Sequence, residues 1–158
     1  MECEFGSLTQ AYTNNIKFII DSKDYDKFVK GYSFSLHPDG YVQYTSTKDG
    51  LHNKRLHRMI MGEPDGREVD HKNTDKLDNR RENLRIATHK QNTFNKNKYK
   101  NNTSGFKGVC FHKQKQKFQA TININGKNKY LGLFVTAVAA HEEYKRAAIQ
   151  HHGEFARF

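Results

Sequence analysis

Between Asn83 and His141 the chain has no aspartate or glutamate, although the same fifty-nine residues hold eleven lysines and arginines. So long a basic stretch without acids disfavours a cationic partner and points to a polyphosphate one. Cysteine is nearly absent: Cys3 and Cys110 stand 107 positions apart. That excludes a disulfide framework and a C-x-x-C zinc pair, and it fits a reducing, cytosolic setting. No basic N-terminal region leads into an apolar run, and no apolar stretch is long enough to span a bilayer, so neither secretion nor membrane insertion is expected. A Lys/Arg helix with a Trp/Phe/Leu face is also missing, which counts against attachment to a membrane surface. No repeat of roughly 20 to 50 residues is visible, so a solenoid is excluded.

What remains is a small, strongly basic protein of 158 residues with net charge +10. Residues 1–60, 61–100 and 101–158 carry charges of +1, +3 and +6, so the basic excess grows toward the C-terminal end. The pattern predicts an α+β chain of two modules. In the first, Lys17 to Ile20 is a short apolar run. Ser22 is positioned to cap a helical turn that Gly31 closes, and Tyr32–Leu36 and Tyr41–Thr45 form a hairpin across His37-Pro38-Asp39-Gly40. Leu56 to Met61 reads as a helix stopped by Gly62. Glu68–Lys72 and Arg85–Ala87 read as strands around a polar loop. Thr88-x-x-Gln91 is a capping box that starts a helix running toward Asn95.

Residues 95–104, rich in Asn and Lys, read as a solvated linker. Beyond it, Phe106–Phe111 and Lys117–Ile124 read as strands. The second alternates strictly, with Phe118, Ala120, Ile122 and Ile124 on one side and Lys117, Gln119, Thr121 and Asn123 on the other. Asn125-Gly126 turns the chain into a third strand, 128–134. A helix capped by Thr136 then places Ala137, Ala140, Tyr144, Ala147 and Ala148 against the apolar side.

The chemistry-bearing group is Val69-Asp70-His71, followed by Asn79, Asn83 and Asn92. A carboxylate is a natural hard ligand for Mg²⁺, a neutral imidazole can take a proton from water, and Asn92 on the following helix can offer a second oxygen ligand. Consecutive strand positions send Asp70 and His71 to opposite faces, so they are expected to do different jobs. His57, within Leu-His-Arg-Met, reads as a packed, hydrogen-bonded histidine. Asn79 and Arg80 either contact nucleic acid or shape the turn before Asn83, and for Asn79 the structural part is favoured.

The run V-D-H-K-N-T-D-K-L-D-N-R-R-E-N-L-R-I-A-T-H-K-Q-N, with L-H-R-M-I-M-G before it, resembles the ββα-metal motif of phage HNH homing endonucleases over about residues 17–96. The resemblance implies His71 as general base, Asp70 as metal ligand beside it and Asn83 as the central Asn that bonds across the loop. Asn92 falls where many members have a second metal-binding His. Arg58 would touch the phosphate product and Arg80 the DNA. Zinc-stapled members need paired cysteines that this chain lacks, so no structural zinc is expected.

The segments S-G-F-K-G-V, K-F-Q-A-T-I-N-I, K-Y-L-G-L-F-V-T-A-V-A-A-H-E-E-Y and H-G-E-F-A resemble the DNA-binding domain of plant ethylene-response factors over about residues 103–157. In that family a three-stranded antiparallel sheet lies in the major groove with a helix behind it. The resemblance implies DNA contacts from Lys107, His112, Lys117, Gln119, Thr121, Asn123, Asn128 and Tyr130. Asn and Gln can pair with adenine, but several arginines of the plant family are replaced here, so its target site does not carry over.

Together these readings predict an HNH module over 1–96, a linker over 97–104 and an ERF-type module over 105–158. The expected protein is a metal-dependent, site-specific endonuclease of double-stranded DNA, of homing or mobile-element type, in the cytoplasm of a phage host. Mg²⁺ is the expected ion, with Mn²⁺ able to substitute. A monomer would nick and a homodimer would cut both strands. The competing expectation is a non-cleaving DNA-binding regulator on the same scaffold.

Overall fold

A computed structural model describes residues 8–13, 16–95 and 102–158, the side chains of 8–13 excepted. Residues 96–101, most of the expected linker, lie outside the described residues. The chain is mixed α and β with small antiparallel sheets, and it divides into two compact units, 1–89 and 90–158. No helix among the described residues is long and apolar enough to cross a membrane.

In the N-terminal unit, strands β1 (Leu8–Thr13) and β2 (Ile16–Asp21) pair, and α1 (Ser22–Phe28) follows directly. The hairpin of β3 (Phe34–Leu36) and β4 (Val42–Tyr44) turns at His37–Gly40, where Gly40 takes φ +87° and donates its N–H to the His37 carbonyl. Gly is suited to that conformation because it has no Cβ to clash. Helix α2 is Leu56–Ile60, and Gly62 beyond it has positive φ. Strands β5 (Glu68–His71) and β6 (Leu84–Ala87) pair antiparallel, and α3 (His89–Phe94) closes the expected strand, loop, strand, helix order.

One local expectation changes. Ser22 is the first helical residue rather than the cap, and Asp21 holds the cap position without a side-chain bond to the helix. The Asp21 carboxylate instead accepts the Arg81 backbone N–H, so a distant segment outcompetes the local capping bond.

Phe18 meets Phe34 edge-to-face and Phe34 meets Tyr44 at a tilt, with ring centroids 5.5 and 4.7 Å apart, and the Tyr44 hydroxyl donates to the Phe28 carbonyl at 2.7 Å. Val69 and Leu84 bury into this same core, which fixes the β5–β6 ribbon. The polar loop 72–83 is fastened separately. Ile19 N–H donates to Leu77 O and Asn79 N–H to Ile19 O, both at 2.8 Å. Arg81 reaches both oxygens of buried Asp24 at 2.6 and 2.9 Å, the planar fork that arginine makes with a carboxylate. The β2–α1 segment thus clamps a loop that has almost no apolar side chain of its own.

In the C-terminal unit, β7 (Val109–His112), β8 (Lys117–Ile124) and β9 (Lys127–Phe134) form a three-stranded antiparallel sheet, followed by α4 (Ala137–His152). The Thr136 hydroxyl accepts the Ala139 N–H at 3.1 Å, the expected cap. Ala140, Tyr144, Ala147 and Ala148 are buried against Val109, Ala120 and Ile122, as the periodicity required. Pairing of Ala120 with Gly132 and Thr121 with Tyr130 leaves Leu131 as an extra residue, a bulge, and Leu131 packs into the core. Asn102 and Ser104, read as linker, instead build a turn: Asn102 accepts from Gly105 N–H and Ser104 Oγ, each at 2.9 Å, and donates to Phe106 O. Short polar side chains can order a segment through the backbone where no apolar period exists.

Candidate functional site

His71 and Asp70, next to each other at the end of β5, are both buried, at 3% and 5% exposure. Their partners differ, as the alternation predicted. Asp70 lies opposite Arg85 in the register, and its Oδ2 accepts from Arg85 Nε and NH2 at 2.8 and 2.7 Å. His71 faces another set: Nε2 lies 3.4 Å from Asn79 Oδ1, and its ring meets His57 at 5.1 Å and Tyr41 at 5.8 Å between centroids.

The Asn79 amide fixes the His71 tautomer. Asn79 Nδ2 donates to the Leu77 carbonyl at 3.2 Å, which leaves Oδ1 facing the imidazole. An amide oxygen only accepts, so His71 Nε2 carries the proton and Nδ1 holds the lone pair. Burial lowers the His71 pKa, against the opposing Asn79 bond and the Asp70, Asp78 and Asp75 charges. The ring is therefore neutral at pH 7, as a base must be. Asn79 itself is fully buried. Its structural part, favoured from the sequence, extends to orienting the imidazole. Asn79→Ala is expected to scramble the tautomer, and ring-nitrogen NMR of His71 should then show both forms where the native chain shows one.

Asn83 bonds across the loop: Oδ1 accepts Asn73 N–H at 3.0 Å and Nδ2 donates to Asp78 O at 2.8 Å, while Lys72 N–H bonds Asn83 O. Asp78 is buried and gathers Asn73 Nδ2 and Arg80 Nε and NH2 at 2.7–2.9 Å; the Arg80 guanidinium holds its pKa below the usual carboxylate value. Arg80 spends its remaining arm on Glu82, and Arg58 donates to the carbonyls of Arg67 and Pro64. Both arginines expected at the DNA are thus engaged with protein groups.

His57 is buried as expected, but its Nδ1 has no hydrogen-bond partner among the described residues. Burial, aided by His71 and the cations Arg55, Arg58 and Lys76, lowers its pKa to about 3, so it forms a neutral wall beside His71. Asn92 lies on α3 among the residues that group with the C-terminal unit. No group of three or more His, Cys, Asp or Glu side chains able to hold a metal exists among the described residues. One buried carboxylate does suit a hard ion that keeps most of its water, provided Arg85 yields or shares Oδ2.

On the C-terminal sheet, directly opposed residues share a face. The pairs His112–Lys117, Thr121–Tyr130 and Asn123–Asn128, with Gln119 between them on β8, therefore share one face. Seven of the eight expected contact residues lie there, and Tyr130 is 58% exposed. Asn123 donates to Asn128 at 3.1 Å and its Oδ1 accepts the Gly126 N–H, so part of this amide pair maintains the hairpin. Lys107 is placed elsewhere. Its ammonium donates to the Phe94 carbonyl at 2.6 Å, and burial and Arg157 lower its pKa to about 8.

The HNH endonuclease family model matches residues 55–94, the span that holds Asp70, His71, Asn79, Asn83 and Asn92. Protein 3.8 of Escherichia phage T7 is 33% identical over 96 residues, covering 60% of this chain and 78% of that relative. The chain carries an HNH endonuclease domain over residues 55–94. That domain supports nuclease activity on DNA at the level of the domain family. No solved structure gives a significant match. The C-terminal sheet lies beyond the segment that the HNH model matches, so its part in the protein rests on its own chemistry.

Proposed function

We propose that the chain is a metal-dependent, site-specific endonuclease of double-stranded DNA, of homing or mobile-element type. The observation that carries this reading is a buried, neutral His71 whose tautomer is set by Asn79, beside a buried carboxylate within an HNH-matched segment. His71 Nδ1 takes the proton of the attacking water. Asn79 and Asn83 keep that ring and the 72–83 loop in place. Asp70 and Asn92 would hold a divalent ion, Mg²⁺ foremost with Mn²⁺ as substitute, whose charge would stabilise the phosphate and the leaving oxygen.

The exposed face bearing His112, Lys117, Gln119, Thr121, Asn123, Asn128 and Tyr130 would lie in the DNA major groove, in the manner of the ethylene-response-factor domain. Its acid-free surroundings supply the sequence-independent attraction, and its amides and tyrosine supply base contacts.

Supercoiled plasmid tests this. Mg²⁺ or Mn²⁺ should produce nicked circles from a monomer or linear DNA from a dimer, and chelator should stop both without altering the far-ultraviolet circular dichroism. Plasmid that stays closed with either ion, while duplex DNA is still bound, would favour the second reading. In that reading the Asp70–Arg85 pair is permanent and the protein is a DNA-binding regulator.

A further inference from the structure

Tyr41 connects the buried histidines to the surface. Its ring lies 4.7 Å from His57 and 5.8 Å from His71 between centroids, and the residue is only half-buried. Two cations sit over that ring. The Arg55 guanidinium is 4.8 Å and the Lys76 ammonium 4.4 Å from its centroid. They come from distant segments, one from the residue before α2 and the other from the 72–83 loop.

Cation–π contact fixes such groups without consuming their N–H donors. Arg55 uses one arm, NH2 to Asp39 Oδ2 at 3.2 Å, and Lys76 gives one proton to the Asp39 carbonyl at 2.5 Å. Neither side chain donates to a further partner among the described residues. The acids near this pair are Asp39, whose carboxylate also lies 3.2 Å from His37 Nδ1, together with Glu68 and Asp70, which act on Tyr41. Asp70 is already neutralised by Arg85. Spare donors on two fixed cations, one ring away from the base, are what a passing sugar–phosphate strand needs for recognition. Arg58 and Arg80, by contrast, are spent inside the protein.

We infer that Arg55 and Lys76, held by Tyr41, form a clamp for phosphodiester oxygens of the DNA strand beside His71. The clamp rests on the nuclease reading for its substrate and goes beyond it in naming the groups that seat the strand at the base. Because its donors act on phosphate, it contributes no base preference.

The test is the affinity of the full chain for a mixed-sequence duplex oligonucleotide, measured without divalent ion across a range of salt. Arg55→Gln with Lys76→Gln should flatten the slope of log affinity against log salt by about two, because each lost phosphate contact removes about 0.9. Arg55→Lys with Lys76→Arg keeps both charges and should keep the native slope. With metal present, the glutamine pair should raise KM for plasmid cleavage more than it lowers kcat. A native slope in the glutamine double variant, with circular dichroism unchanged, would overturn the clamp. So would an equal loss of slope in the charge-keeping pair. The salt slope needs no cleavage, so a chain that binds DNA without cutting it would refute the nuclease reading while the slope still decides the clamp.

Discussion

His71→Ala is expected to lower plasmid cleavage by roughly a hundred- to ten-thousand-fold, the span associated with removing a positioned base. Duplex binding should hold within a factor of a few, because the proposed reading face belongs to the other unit. The substitution removes the only imidazole in the 55–94 segment that is both buried beside a carboxylate and set in one tautomer by an amide. His89 in the same segment is 82% exposed at its side chain and is engaged with Glu68, so it offers no replacement. Gel quantification of nicked and linear plasmid over time, with fluorescence anisotropy of a labelled duplex alongside, checks both halves. Cleavage at the native rate by the alanine variant would remove His71 from the mechanism.

Gly108→Ala should have the largest effect on stability. Gly108 has φ +73°, and a Cβ there would stand 2.1 Å from the ring of buried Tyr144. A non-glycine residue in that conformation costs about 1 to 3 kcal/mol, and forcing extra volume into a filled core costs about 1 to 3 more. The sum is comparable with the whole stability of a unit this small, at roughly 0.05 to 0.15 kcal/mol per residue. The Gly108 carbonyl also accepts the Thr121 N–H at 2.8 Å, so displacement of the backbone would pull on β8 and its exposed face. The variant should show a lower-temperature melting transition and lose most of its duplex affinity. Tyr144→Ala in the same background should restore part of the melting temperature by vacating the space. An unchanged melt for Gly108→Ala would contradict this packing.

Local periodicity made some parts of the molecule legible and left others hidden. The alternation of β8 needs only neighbouring residues, so the two faces of that strand could be assigned, and the Thr136 cap and the alanine stripe of α4 followed for the same reason. The Asp70, His71 and Asn83 constellation stood out because its spacing lies within one short unit. What pairing and tertiary contact decide did not stand out. Arg85 reaches Asp70 through a cross-strand register, and Asp21 gives up its capping bond to Arg81 some sixty positions away. Tyr41, Arg55 and Lys76 converge from three segments that share no periodicity, so their grouping cannot be read from neighbouring residues. The Leu131 bulge is hidden because an apolar strand reads the same with or without an extra residue.

The account turns on whether Asp70 exchanges its arginine for a metal ion when DNA is cut. Anomalous scattering at the manganese edge, from crystals of the full chain with duplex DNA and Mn²⁺, measures this directly. The predicted result is a manganese peak within coordination distance of the Asp70 carboxylate and of the Asn92 side-chain oxygen, with Arg85 displaced from Oδ2. An intact Asp70–Arg85 pair with no peak beside it would contradict metal-dependent cleavage and leave a protein that only holds DNA.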